Sequence, residues 1–438
     1  MKKNIKKAKP LKLEKSDMIW NSAAQIIPGG CQTFSKAPFQ HVNGVSPKII
    51  EYGRGGYSWD ADGNEYIDYM MSLGPNILGY ADEKIIKAAE NGARLGVVSS
   101  LAHPLETKLA QSFVKLVPSA EMVKFGKNGS DVTTAAIRLA RAYTNKEKII
   151  ICGYHGWHDW YIGSTSRNFG IPKASRDLTI EFQYNNIDSL IEVFNNNKNE
   201  IAAVIMEPVN FYEPIDNFLS KVKEVCHDNK SLLIFDEIIT GFRMDIGGAQ
   251  SFYNITPDIS CFGKAMANGY PISAIVGKKE IMKLFEDVFF SGTFGGELVS
   301  ISACIETIQQ IEKRNTIKHI NNLGNKLKDG YKHIVRKNNY QYFTDMIGFG
   351  WWPEYIFYDL KKNRSLEIQS LFQQEIVRRG ILTRAGMFFC GSHTEKDIDE
   401  TLLIFEEALY IVNQAIKNNK ILDYLDGDVI TPVIRTQS

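Results

Sequence analysis

The sequence predicts an α/β fold with a central, mostly parallel sheet and a smaller α+β lobe drawn from both ends of the chain. Two patterns carry this expectation. Between about residues 81 and 288, helical stretches alternate with short, dense apolar runs, the form that buried parallel strands take between crossover helices. Before residue 80 the chain instead alternates polar and apolar residues around turn signals, as half-exposed strands do. At 438 residues, 44% of them hydrophobic, the chain exceeds the size at which one core stops growing. The expected division is an N-terminal segment with a small meander at 1–80, a large α/β domain at 81–330 and a C-terminal small domain at 331–438.

In chain order, residues 48–69 are expected to form the antiparallel meander, turning at Gly55-Gly56 and at Asp60-Ala61-Asp62-Gly63. The clearest strands of the large domain are 148–152, 202–206, 232–235 and 274–276, with helices at 188–195 and 219–229 between them. The polar run from Asn195 to Asn199 reads as a solvated loop. A long helical stretch spans 297–337, residues 340–382 mix strand and helix patterns, and 395–418 is an amphipathic helix.

Composition removes several functions. The formal net charge is only +1, so there is no broad field for a nucleic acid, and anion binding must be local. Cys31, Cys152, Cys226, Cys261, Cys304 and Cys390 are scattered, without the paired spacing of a zinc site or disulfide framework, and read as small buried thiols in a reducing compartment. The start carries Lys2, Lys3, Lys6, Lys7, Lys9, Lys12 and Lys15 with no apolar stretch after them, and no later segment is apolar for long enough to span a bilayer. The expectation is a cytoplasmic protein with a frayed basic N-terminus and neither nucleic-acid nor membrane partners.

Ligands gather at the C-terminal ends of parallel strands, so polar residues just after the apolar runs are examined first. The run Leu232-Leu233-Ile234-Phe235 ends in Asp236-Glu237; taken alone, such a pair is more often a capping or ion-pairing acid than a functional one. Ile259-Ser260-Cys261-Phe262-Gly263 leads to Lys264 among small and apolar residues, a setting that lowers an amine's pKa by desolvation and suits it to Schiff-base formation, although a lone lysine is usually solvated. Gly129 and Ser130 lie in the loose polar stretch 127–134 that precedes the helix-forming run 135–141; a helix start offers free N–H groups to a phosphate, and it also fits an ordinary Ser or Asp cap. Tyr154 and His155 follow the strand at 148–152, where Tyr154 can stack on a flat ring or pack in the core. His155 and His158 lack further nearby ligands beyond Asp159, so no metal site is expected.

Together these four segments resemble the class III aminotransferases, fold type I enzymes that use pyridoxal 5'-phosphate (PLP), and within them the glutamate-1-semialdehyde aminomutase branch. The likeness begins at Ile27-Pro28-Gly29-Gly30, continues through the string from Trp59 to Tyr69 and Gly74-Pro75-Asn76-Ile77-Leu78-Gly79, and reaches the string from His393 to Ile398. It implies that Lys264 forms a Schiff base with PLP and shuttles a proton, and that Asp236 pairs with the pyridine nitrogen and keeps it positive. It also implies that Gly129 and Ser130 form the phosphate turn and Tyr154 stacks on the ring, with Asp131, His155 and Glu207 beside them; Glu207 reads equally well as a structural acid. Ser291-Gly292-Thr293-Phe294 resembles a family segment whose threonine reaches the neighbouring subunit's phosphate, which implies a homodimer.

The chain departs from the aminomutase pattern near the substrate. Lys36 stands where that branch has an arginine that grips a carboxylate, and lysine lacks the bidentate fork. Tyr212 replaces an asparagine, and Glu297-Leu298 replaces Asn-Pro. The function implied is amino transfer from an amino acid such as glutamate to an aldehyde or ketone in surface-polysaccharide or secondary metabolism, with Lys36, Tyr212, Trp351 and Trp352 suited to a polar substrate. Glutamate-1-semialdehyde 2,1-aminomutase is the alternative, and a non-catalytic PLP-binding protein the remaining one.

Overall fold

The computed structural model describes residues 6–433, so Lys2 and Lys3 of the basic N-terminus lie outside the described residues. The chain divides into two compact units, one made of residues 74–77 and 83–317, the other of residues 6–73, 78–82 and 318–433. The boundary expected at residue 330 falls inside the helix Thr316–Lys337. No helix of the described residues is long and apolar enough to cross a membrane.

The first unit is built on a seven-stranded sheet. Its strands are β1 (Met122–Gly126), β2 (Lys148–Cys152), β3 (Thr179–Glu181), β4 (Ile201–Met206), β5 (Leu232–Asp236), β6 (Ile259–Phe262) and β7 (Ser273–Gly277), in the spatial order β1-β7-β6-β5-β4-β2-β3. From β6 through β3 every pairing is parallel. Strand β4 and strand β5 are buried at every position, which is why they read as unbroken apolar runs. Alternate residues serve two helical layers. Ile149, Ile151, Ile205, Ile234 and Ile275 pack with Val132, Ala136 and Leu139 of helix α1 (Gly129–Thr144). Ile150, Val204, Leu233 and Phe235 face Leu190, Phe194, Phe218 and Val222 from the helices Ile187–Asn196 and Phe218–Asp228.

One expectation is corrected. Strand β7, expected among the parallel strands, runs antiparallel to both of its neighbours. A parallel return needs a crossover of roughly a dozen residues or more, and only residues 263–272 join β6 to β7, so the chain folds straight back. Three strands escaped the sequence reading. Strands β1 and β3 are sheet edges, β1 half-buried through most of its length and β3 only three residues long. In β6 the apolar run is broken by Ser260, whose hydroxyl is buried but bonded to Ser119 Oγ and Gln250 Nε2.

In the other unit the meander forms as three antiparallel strands, Ile50–Arg54, Tyr57–Asp60 and Glu65–Asp68. Glu65–Asp68 also pairs in parallel with Ile381–Leu382, so one small sheet joins the two ends of the chain. The helical stretch at 297–337 resolves into α2 (Leu298–Lys313) and the helix Thr316–Lys337, interrupted where Asn315 takes a left-handed φ of 52°.

Candidate active site

Strands β5 and β6 are neighbours whose C-terminal ends lie side by side, with Asp236 in register with Cys261. The chain leaves β6 through Gly263 and turns at Lys264 with φ +42°, entering the helical turn Lys264–Ala267. A lysine in the left-handed region is strained by about 1–3 kcal/mol, and such strain collects at sites where the surroundings over-determine the backbone. The turn places Lys264 in the wall of a cavity of about 290 Å3 that Asp236, Glu207, Tyr154, His155 and the turn 127–130 also line. Pro75, Ile238, Ile239, Tyr270 and Ile272 also line it.

Asp236 is buried, and its acceptors are partly used. Its Oδ2 lies 2.8 Å from His155 Nδ1, and its Oδ1 accepts the Ile238 N–H at 3.1 Å. A carboxylate has about four lone-pair sites, so Asp236 retains capacity for a further cationic N–H in the cavity. His155 is enclosed by the stacked Trp160 and the edge-on Tyr161, and its Nε2 has no hydrogen-bond partner among the described residues; because a carboxylate only accepts, the bond to Asp236 calls for the proton on Nδ1. Burial pushes the Lys264 amine below its ordinary value, against the opposing pull of Asp236 and Glu207. That favours the neutral, nucleophilic form. Burial, with Asp236 close by, pushes the Glu207 carboxyl upward, while its Oε2 accepts the Tyr154 N–H at 3.1 Å.

Helix α1 starts beneath the same cavity. The N–H groups of Gly129 and Ser130 donate to no acceptor among the described residues, as expected of a helix start open to an anion. Asp131, expected beside the phosphate turn, does not line the Lys264 cavity. Its Oδ2 accepts the N–H groups of Lys127 and Asn128 at 3.0 and 2.7 Å, and it lines a neighbouring cavity instead. Its work is to fix the turn that presents Gly129 and Ser130.

The segment carrying Tyr154 and His155 is laced to the first turn of α1. Ser130 Oγ accepts the Trp157 N–H at 3.2 Å, Thr133 Oγ1 donates to the His155 carbonyl at 2.9 Å, and Thr134 Oγ1 joins His158 Nδ1 at 2.7 Å and Trp160 Nε1 at 2.8 Å. The only trace of these supports in the sequence is the pair of adjacent hydroxyls Thr133-Thr134 at a helix start, with donors and acceptors following a neighbouring strand. Gly156 adopts φ +111°, and a Cβ there would run into Ser130 Oγ. Gly156→Ala is therefore expected to cost about 1–3 kcal/mol of stability and to loosen PLP binding, checked by thermal melting and PLP titration of the same preparation; an unchanged PLP affinity would show that this lacing does not shape the cavity.

Other expected site residues lie elsewhere. Thr293 is exposed and does not line the Lys264 cavity; it lines a second cavity of about 760 Å3, with Lys127, Asp131, Arg138 and His158 in its walls. Tyr212 is 55% exposed on the loop after Glu207, its N–H bonded to Asn210 Oδ1. Lys36 is exposed and belongs to the other unit, at the end of the turn Phe34–Lys36. Trp351 and Trp352 stack on each other in that same unit, Trp351 buried in its core.

Comparison with known proteins adds to this geometry. The family model described as aminotransferase class-III matches residues 40–386. A 3-aminobutyryl-CoA aminotransferase of Cloacimonas acidaminovorans is 35% identical over 412 residues, covering 92% of this chain and 98% of its own. A glutamate-1-semialdehyde 2,1-aminomutase of Alkaliphilus oremlandii is 36% identical over 431 residues, covering 91% of this chain and 99% of its own. Among solved structures, the PLP-bound FumI protein of Sphingopyxis is similar with a TM-score of 0.86 at 28% identity, over 95% of this chain and 99% of that one.

Proposed function

Because the chain belongs to the class III aminotransferases, whose cofactor is PLP, we propose that it moves an amino group from an amino acid donor such as glutamate to an aldehyde or ketone, as a cytoplasmic homodimer. One observation supports this above the rest: the Lys264 amine and the Asp236 carboxylate, from the ends of adjacent strands, line one cavity with the free amides of a helix start. These residues fit the cofactor, offering an amine for its aldehyde, a carboxylate for its ring nitrogen, the Tyr154 ring for its face and unpaired N–H groups for its phosphate. Bound PLP supplies an electron sink for the negative charge left when the substrate's α-proton departs.

In this reading Asp236, held by His155 and the Ile238 amide, keeps the proton on the ring nitrogen. The Nζ of Lys264 accepts the substrate's α-proton and returns it on the other side of the transfer. Gly129 and Ser130 hold the phosphate, and Thr293 serves the neighbouring copy; its exposure and its separation from the Lys264 cavity support that assignment. Lys36 and Tyr212 meet the substrate, for which a polar carbonyl compound of surface-polysaccharide or secondary metabolism is the leading class.

A panel of amino donors, including glutamate and 3-aminobutyryl-CoA, tests the reading. The absorbance of the PLP-loaded protein should shift with a true donor and shift back when a carbonyl acceptor is added; a spectrum that no donor moves overturns amino transfer. The aminomutase reading is kept because a relative of equal similarity bears that name. It requires glutamate-1-semialdehyde to become 5-aminolevulinate without a donor being consumed, and no such product removes it.

A further inference from the structure

Among the residues lining the Lys264 cavity, the lysines and arginines are Lys264 and Lys127 alone, facing the carboxylates of Glu207 and Asp236. Lys264 is committed to the aldehyde end. A phosphate at the Gly129–Ser130 turn would then have the helix start and Lys127 as its positive partners.

Lys127 lines both the Lys264 cavity and the cavity that holds Thr293. Its backbone N–H is pinned by Asp131, and its Nζ lies 2.8 Å from Glu297 Oε2. The two side chains are only 20% and 12% exposed, so solvent screens them weakly. Glu297 is itself fixed, because its Oε1 accepts the N–H groups of Val299 and Ser300 at the start of α2. Burial pulls the Glu297 carboxyl upward, but Lys127 and Ser300 outweigh it and hold the group below its ordinary value. Glu297 does not line the Lys264 cavity. The arrangement is a lysine two residues before the phosphate turn that lines the cavity, its ammonium paired with a carboxylate that does not.

We propose that Lys127 is the phosphate-binding cation of this site and that Glu297 is its counter-ion, which holds the ammonium at the turn while damping its charge. The proposal rests on the reading that the phosphate sits at Gly129 and Ser130. It differs from a structural strut in one respect. A strut is lost equally from either end, whereas a charge acting on a phosphate gives the two ends opposite signs.

The test uses the apoprotein titrated separately with PLP and with pyridoxal, which has the same ring and aldehyde but no phosphate, followed by absorbance. Lys127→Met should weaken PLP by about five- to tenfold and leave pyridoxal unchanged; Lys127→Arg should keep most of the preference for PLP. Glu297→Gln should tighten PLP severalfold, again without effect on pyridoxal. Melting of each apoprotein reports any loss of stability separately. The proposal is overturned if Lys127→Met leaves the ratio of PLP to pyridoxal affinity unchanged, or if both neutral variants weaken PLP by the same factor. Gly129→Ala, whose Cβ would press on Ile238 Cδ1, separates the two levels. If it collapses the ratio while Lys127→Met does not, the turn holds the phosphate without Lys127. If neither variant changes the ratio, the placement of the phosphate fails as well.

Discussion

Lys264→Ala is expected to lower turnover by at least about 10⁴-fold, since in the proposed mechanism it removes both the amine that bonds the cofactor aldehyde and the base that moves the α-proton. No other residue lining the cavity can stand in: the second lysine, Lys127, has its ammonium on Glu297. The protein should still fold. The lost side chain is a partly accessible amine whose charged form burial already disfavours, although alanine inherits the left-handed φ of 42°. Single-turnover measurement with excess protein, alongside a melting curve, separates chemistry from folding. Turnover within tenfold of the unaltered protein would remove Lys264 from the mechanism.

Asp236→Asn is expected to cost about 10²–10³-fold in kcat with PLP affinity changed only severalfold. Asparagine keeps the volume and can still accept the Ile238 N–H. Its amide nitrogen, however, then faces His155 Nδ1, where donor meets donor until the imidazole changes tautomer. More important, the negative charge that in the proposed mechanism keeps the ring nitrogen protonated is gone. Because the loss falls on the electron-withdrawing power of the ring and not on its attachment, kcat should fall while KM for the donor stays nearly constant. A kcat within threefold of the original would assign Asp236 to His155 alone, as a structural acid.

Legibility in the sequence followed burial. Strands β4 and β5, buried at every position, announced themselves as apolar runs, and the carboxylate closing β5 stood out because nothing polar preceded it. The edge strands β1 and β3 gave no such contrast. The antiparallel course of β7 was legible only in the length of its connection, which the apolar pattern does not encode. In the site, Lys264, Asp236, Tyr154, His155, Glu207 and the Gly129–Ser130 turn are indeed brought to one cavity. Asp131 lies outside that cavity, and its bonds to Lys127 and Asn128 were not legible because an acid in the first turn of a helix looks the same whether it faces a ligand or its own turn. The bonds from Thr133 and Thr134 to the segment 155–158 went unseen because the partners lie some twenty residues apart along the chain.

The short return from β6 to β7 has a dynamic meaning. Lys264 hangs from a connection whose two ends are hydrogen-bonded neighbours, the second and third strands from one edge of the sheet, so whatever is fastened to its amine is fastened to that pair of strands. Occupancy at Lys264 then acts on the opening equilibrium of residues 259–277, adding about 2.7 kcal/mol when a ligand is present at a hundred times its dissociation constant. Amide hydrogens across that stretch should exchange with deuterium more slowly in the loaded protein than in the apoprotein, with β1, the sheet's edge beyond β7, slowed along with them.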